Sequence, residues 1–379
     1  MRFFRAFLAS LLLFIIGYLL LVVLMDPRGD FHTGRFPVVI MDSREVKMHL
    51  FLAENARAPI QGLILGSSRS MKLNPADFAE MKHLRFFNFA VDNARTEDYL
   101  AIYRWVRRQG ARPKILVIGL DVEALHNDDQ PDERLTRNDL LYREVNGKQP
   151  LIPALDAPLQ GVKRYKRSFT NTYAGDVLKS VLLVARHADT TPAMSFEKDG
   201  YLRYVRWERM KRAGTFDLQK EIAVSIAEYG RRLHTMTGLS HRRKQQLTEL
   251  IREVKADGGY VAIWLTNLHP EVTDQLAKTT AYPLIVQEIQ AYLKELNTDG
   301  HVCVRDYHDP RLYGGSLTDW YDGAHVGEMN ARLIVAGLLK GCKHQWSSIP
   351  TSSYSSSSPS SLPSSGSLAP NSNGTYSSL

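Results

Sequence analysis

The sequence predicts a three-layer α/β sandwich around a five-stranded parallel sheet, preceded by one membrane-spanning helix. Three observations predict it. A run of 19 residues near the N-terminus, Phe7 to Met25, is apolar apart from Ser10, Gly17 and Tyr18. Beyond it, short apolar runs alternate with amphipathic stretches of helical period. The apolar runs show little polar alternation, as expected of strands covered on both faces.

The chain has 379 residues and a formal charge of +8. That length suffices for one large or two ordinary domains. The modest positive charge suits an anionic partner such as a membrane surface or a polyanionic polymer. No nucleic-acid motif is present, so nucleic acid is not an expected partner. Cys303 and Cys342 have neither metal-site nor redox-motif spacing, and either a disulfide or two buried thiols fits. A disulfide would contribute roughly 4 kcal/mol in the chain-entropy model. No ligand cluster suggests a metal, and no glycine-rich loop a nucleotide, so no cofactor is expected.

Taken in order, residues 1–25 hold a cytoplasmic start and the anchor. As a helix, 19 residues span roughly 28 Å, enough for a bilayer core. Arg2 and Arg5 precede the run and Asp26, Arg28 and Asp30 follow it. The positive-inside rule then leaves the N-terminus in the cytoplasm and the rest outside. Asp26-Pro27 offers no small-residue cleavage site, which favours an uncleaved anchor over a signal peptide.

Residues 26–56 read as a juxtamembrane connection, and 57–345 as the main domain. Its strands are Ile60 to Gly66, Arg85 to Val91, Lys114 to Leu120, Tyr260 to Leu265 and His301 to Tyr307. Helices are expected over Thr96 to Gln109, from about Ser240 to Gly258, over Pro283 to Leu296 and over Glu328 to Leu339. Gly110, Gly258-Gly259 and Gly341 serve as stops. From about Val122 to Leu239 the pattern weakens. Basic residues interleave with aromatics there, as in Lys163-Arg164-Tyr165-Lys166-Arg167 and Arg203-Tyr204-Val205-Arg206-Trp207. This segment reads as an insertion, either a solvated basic surface or a groove for phosphate-bearing polymer or lipid headgroups. Residues 346–379 are almost entirely small and polar and read as disordered.

In a parallel sheet, chemistry gathers at the carboxyl ends of the strands. The first strand ends in Gly66-Ser67-Ser68-Arg69-Ser70, with Asn74 and Pro75 placed to start a helix. A strand turning sharply there lifts a hydroxyl above the sheet, the geometry of a nucleophilic serine. The elbow pattern G-x-S-x-G is not met, because Ser70 stands where its second glycine would be. Near the C-terminus, Trp320-Tyr321-Asp322-Gly323-Ala324-His325 leads into the last helix. There Asp322 could hold the Nδ1–H tautomer of His325 and leave Nε2 free for the Ser68 proton.

This ordered set resembles the SGNH hydrolase superfamily, which has a flavodoxin-like sandwich fold. Within it the chain is similar to the membrane-anchored envelope-acylation branch, which includes the D-alanine transfer protein of lipoteichoic acid synthesis and the alginate O-acetylation proteins. Gly66-Ser67-Ser68 looks like the family's first block, and Asp322 and His325 like its last. The resemblance implies Ser68 as nucleophile, His325 as general base and acid, and Asp322 as its orienting partner. Oxyanion donors would be the backbone N–H groups of Ser68 and of Asn93, which stands where the family has glycine. In the third block the chain has Gly119-Leu120-Asp121 where the family has Gly-x-Asn. An ionised carboxylate cannot donate. Asp121 is therefore protonated, turned elsewhere, or replaced by the other two donors.

The resemblance further implies an O-acyltransferase or esterase acting on an acylated envelope glycan or lipid. The expected location is the inner membrane, single-pass, with the main domain in the periplasm. A membrane-bound O-acyltransferase partner follows by analogy. The alternatives are a catalytically inactive scaffold or glycan-binding subunit, and an esterase of small soluble substrates. For substrate binding the sequence offers Arg69, Arg95, Asn267 and His269; Ser67 and Ser70 read as turn residues. His308, beside Asp309, is the second candidate base.

Overall fold

In the computed structural model the described residues are 2–346, without 29–30, 32, 34–35, 37–40, 79, 82–83, 148–164, 167, 187–192 and 298–299 and the side chain of 172. The serine-rich tail from 347 onward, expected to be disordered, lies outside the described residues, as do Lys163, Arg164 and Arg167.

Five strands form one parallel sheet: β1 Gly62–Leu65, β2 Phe86–Asn88, β3 Ile115–Leu120, β4 Tyr260–Leu265 and β5 Val302–Asp306. Their spatial order is β2-β1-β3-β4-β5, the doubly wound order with its switch point between β1 and β3. Register is set by pairs such as Ile64 with Asn88, Leu65 with Ile118, Ile118 with Ile263, and Leu265 with Asp306. The strands agree with expectation but are mostly shorter by one to four residues.

The helices are α1 Arg2–Met25, α2 Ser43–Arg57, α3 Thr96–Arg108, α4 Asn171–Ala185, α5 Val205–Arg212, α6 Leu218–Leu233, α7 His241–Ala256, α8 Pro270–Thr279, α9 Tyr282–Leu296 and α10 Glu328–Gly341, with shorter turns between. Alternate strand residues feed two cores. Leu63, Leu65, Ile118 and Ile263 pack against α2, α3, α7 and α9. Ile64, Val117, Ala262 and Trp264 pack against α10 and the short turn Pro75–Phe78. Both faces are thus covered, which explains the missing polar alternation.

Two expectations change. The connection before the domain contains α2, a 15-residue helix capped by Asp42. Its apolar stripe is interrupted because Arg44 and Lys47 are fully buried. The segment 122–239 is also more than an insertion on the surface. Two short helices place Leu135 and Leu141 in the main core, and α6 places Ile222, Tyr229 and Leu233 there. A two-stranded hairpin, Ser195–Phe196 with Leu202–Arg203, lies within it.

α1 is long and apolar enough to cross a membrane. Cys303 and Cys342 are joined in a disulfide that ties β5 to the end of α10. Of the two open readings of the cysteines, the structure takes the paired one.

Candidate active site

The turn that carries Ser68 is built on two glycines. β1 leaves the sheet at Gly66, whose φ of +146° lies outside the comfortable range of other residues. The next residues form a 3₁₀ turn, Ser68–Ser70, in place of an α-helix. Ser67 caps it, its hydroxyl accepting the Arg69 N–H at 3.2 Å. Ser70 is fully buried against Gly66 and Gly119, where a Cβ on either would collide with its hydroxyl. From β2, Asn88 donates to the carbonyls of Ser70 and Leu73 at 2.8 Å each. The expected helix after Asn74 is a 3₁₀ turn, Pro75–Phe78, with Asn74 Oδ1 accepting the Ala76 N–H at 3.0 Å.

The last loop meets this turn. His325 Nε2 lies 2.8 Å from Ser68 Oγ, across 257 positions of sequence. His325 Nδ1 lies 2.8 Å from Asp322 Oδ2. The other Asp322 oxygen accepts the N–H groups of Ala324 and His325, both at 2.7 Å. Ionised Asp322 takes the Nδ1–H, so Nε2 is the acceptor for the Ser68 hydroxyl. Burial works against both charges here. For Asp322 the His325 ring and two N–H donors outweigh it and hold the carboxyl below its ordinary range. For His325 the Asp322 carboxylate outweighs it and raises the imidazole above its ordinary value.

The loop is fixed from several sides. The Tyr321 N–H donates to the His325 carbonyl at 2.8 Å. Gly323 donates to Ser225 Oγ of α6 at 3.0 Å, and its carbonyl accepts the His269 N–H at 2.9 Å. Tyr204 and Trp207, from the segment read as an insertion, bring their rings to 5.7 and 6.3 Å from that of His325.

Asn93 has φ +49°, the left-handed backbone that asparagine tolerates. Its N–H and that of Ser68 have no acceptor among the described residues. Asp92, just before it, donates its N–H to Ser43 Oγ at 3.0 Å. Ser43 opens α2, and one turn further along it Lys47 donates from its ammonium to the Asn88 carbonyl at 3.0 Å. Burial lowers the Lys47 pKa to about 7. One helix thus braces both Asn88, which holds the Ser68 turn, and the turn that carries Asn93.

A cavity of about 340 Å³ opens beside Ser68, lined among others by Asn93, Arg95, Asp121, Tyr229 and Arg232. Asp121 accepts from Thr266 Oγ1 at 2.7 Å and lies 3.6 Å from Arg69. Burial raises its carboxyl pKa, the Arg69 charge opposes that, and Glu123 adds to it. Asp121 thus lines the cavity while held by Thr266 and Arg69.

Several expected substrate contacts have other work. Arg69 is 2% exposed and pairs with Glu123 at 2.7 Å, so its charge is spent inside the protein. Arg95 lines the cavity but is paired with Asp128 at 2.8 Å. Buried Asn267 donates to the Tyr313 hydroxyl at 2.6 Å. His269 caps α8 and packs edge-on against Trp320. Both make contacts that support the loop after β5. His308 pairs with Asp306 at 2.6 Å in place of Asp309.

Sequence reasoning missed Ser43, Lys47 and Asn88, and did not single out Tyr204, Trp207 or Arg232 for the site. Asn88 left a signal: a polar amide inside an apolar strand needs a buried partner. No family model matches the chain, and no curated protein matches it.

Proposed function

We propose that the chain is an SGNH-type serine enzyme of acyl transfer, acting as O-acyltransferase or esterase. The observation that carries this reading is the pair of 2.8 Å contacts, Ser68 Oγ to His325 Nε2 and His325 Nδ1 to Asp322. In the first half-reaction Ser68 Oγ attacks an ester carbonyl while His325 takes its proton. N–H groups of Ser68 and Asn93 stabilise the oxyanion. The ester C–O bond then breaks, His325 returns the proton to the leaving alcohol, and the acyl group stays on Ser68. In the second half-reaction water or a sugar hydroxyl attacks, gives its proton to His325, and Ser68 regains it as the acyl group departs. A membrane anchor and a disulfide fit an extracytoplasmic enzyme, with an acylated envelope glycan or lipid as substrate and a membrane-bound O-acyltransferase as partner.

A second reading, an inactive scaffold or glycan-binding subunit, is favoured by Asp121, a carboxylate at the position where a donor would help. A fluorophosphonate probe separates the two. Labelling that disappears in Ser68→Ala supports the enzyme. Absence of labelling in a folded wild-type protein that still binds anionic glycans supports the scaffold.

A further inference from the structure

α1 carries no covering side chains over Arg2 to Gly17 beyond partial cover at Ile15. Those 16 residues reach about 24 Å as a helix, short of the roughly 30 Å of a bilayer core. A spanning α1 must therefore bring its next turns to the lipid as well. Another part of the chain packs at that level. The Tyr18 hydroxyl donates to the Ser168 carbonyl at 2.5 Å, and its ring lies 5.5 Å from that of Phe169. Val22 and Met25 pack with Tyr173 and Val177 of α4. Arg28 Nε donates to Asp176 at 2.8 Å, above the last turn.

From the arrangement of these contacts along α1, we propose that Tyr165, Lys166 and residues 168–177 form a second membrane element. Its end at Tyr165 and Phe169 enters the outer leaflet beside α1, and its occupant is the lipid bilayer itself. With the core over Phe7 to Met25, as the sequence places it, Tyr18 lies about 10 Å beneath the outer boundary. Interfacial elements bury to about 5–10 Å. Tyr165 and Phe169 are 44% and 52% exposed, although large and aromatic; the Phe169 ring lies against Tyr18 and the Tyr165 ring 5.4 Å from that of Phe31, just beyond the end of α1. Aromatic rings at that depth match the interfacial belt. The Tyr18–Ser168 bond satisfies a hydroxyl and a carbonyl that lipid would leave unpaired. Exposed Lys166 and Lys179 can reach the phosphates of the headgroups. This inference rests on the spanning reading of α1, and its test separates the two.

Single cysteines at Phe169 and Tyr165 in the full-length chain would carry an environment-sensitive nitrobenzoxadiazole label, with the native disulfide left intact. Leu12 and Leu317, both about half exposed, serve as references on α1 and on the domain. The protein is reconstituted in phosphatidylcholine–phosphatidylglycerol vesicles containing lipids brominated at defined depths. Expected is at least twofold quenching at Phe169 and Tyr165 by shallowly brominated lipid, quenching at Leu12 by deep bromines, and none at Leu317. Quenching at Leu12 with Phe169 and Tyr165 behaving like Leu317 overturns the proposal and leaves the anchor standing. A blue-shifted but unquenched label at those two positions means protein covers them, and also overturns it. Absence of quenching at Leu12 removes the anchor and the proposal together.

Discussion

Asp322 serves three donors with two oxygens, and that economy fixes the chemistry proposed for His325. One oxygen holds two backbone N–H groups and shapes the turn. The other takes Nδ1–H and sets the tautomer. Replacing Asp322 by Asn keeps the shape of the turn but lets the amide donate to Nδ1, which presents the wrong tautomer to Ser68. The fluorophosphonate labelling rate should fall by about 10⁴-fold with thermal stability nearly intact. The same carboxylate sets the pH dependence. Labelling needs neutral imidazole, and burial is outweighed by Asp322, so His325 titrates above its ordinary value. The labelling rate should therefore rise with pH through an inflection above about 6.5. The raised folded pKa also stabilises the protein below about 6.5, and that contribution is lost as pH climbs through the folded value. The stability gap between wild type and His325→Gln should shrink over that climb, as read by thermal unfolding at stepped pH. These two residues and Ser68 were legible because strand ends and the D-x-x-H spacing leave local marks. Arg69, Asn267 and His269 were legible only as polar residues at strand ends. Their true partners, Glu123, Tyr313 and Gly323, lie far along the chain, and no local pattern reports them.

At the scale of elements, α2 is the unexpected participant. Its sequence carries no clean apolar stripe, because its buried face includes Arg44, paired with Asp98, and Lys47, hydrogen-bonded to the Asn88 carbonyl. Periodicity analysis sees charges and reads a connection. The five strands were legible because they are mostly apolar, and the helices α3, α7, α9 and α10 because apolar residues recur along one side at helical spacing. α2 matters because Ser43 holds the Asp92 N–H beside Asn93. Ser43→Ala leaves that N–H unsatisfied, at a cost of about 1–3 kcal/mol. On the proposed function, labelling by the probe should slow at temperatures where the variant is fully folded, since the turn that carries Asn93 loses its brace. An unchanged rate with a lowered melting temperature would reduce Ser43 to a purely structural role. The disulfide acts on a different element pair. It closes a loop of sequence separation 39 between β5 and the end of α10. The chain-entropy model gives that loop about 4 kcal/mol, so Cys303→Ser/Cys342→Ser should lose stability of that order in urea unfolding while labelling persists at low denaturant.

For the whole molecule, the proposed function implies one orientation of the chain. Arg2 and Arg5 lie at the start of α1, whereas beyond its end Arg28 is already paired with Asp176. On the proposed reading the charge asymmetry would keep the N-terminus inside and send the domain to an oxidising compartment where Cys303 and Cys342 can pair. The two thiols are therefore a built-in reporter of orientation. Both are buried, so they are read after denaturation in acid, with a maleimide added before any reductant. Wild-type protein from intact cells should take up no maleimide until it is reduced. A variant with Arg2→Glu and Arg5→Glu weakens the retention signal, so a fraction of its domains should stay in the cytoplasm. That fraction should take up two maleimides per chain without reduction and should resist protease added outside spheroplasts. The two readouts must move together, because a single translocation event decides both. Free thiols in the wild-type chain, with its domain shielded from external protease, would put the domain in the cytoplasm and remove the envelope substrate from the proposed function. They would leave Ser68, His325 and Asp322 where they are, so the acyl chemistry would then have to find its ester among cytoplasmic molecules.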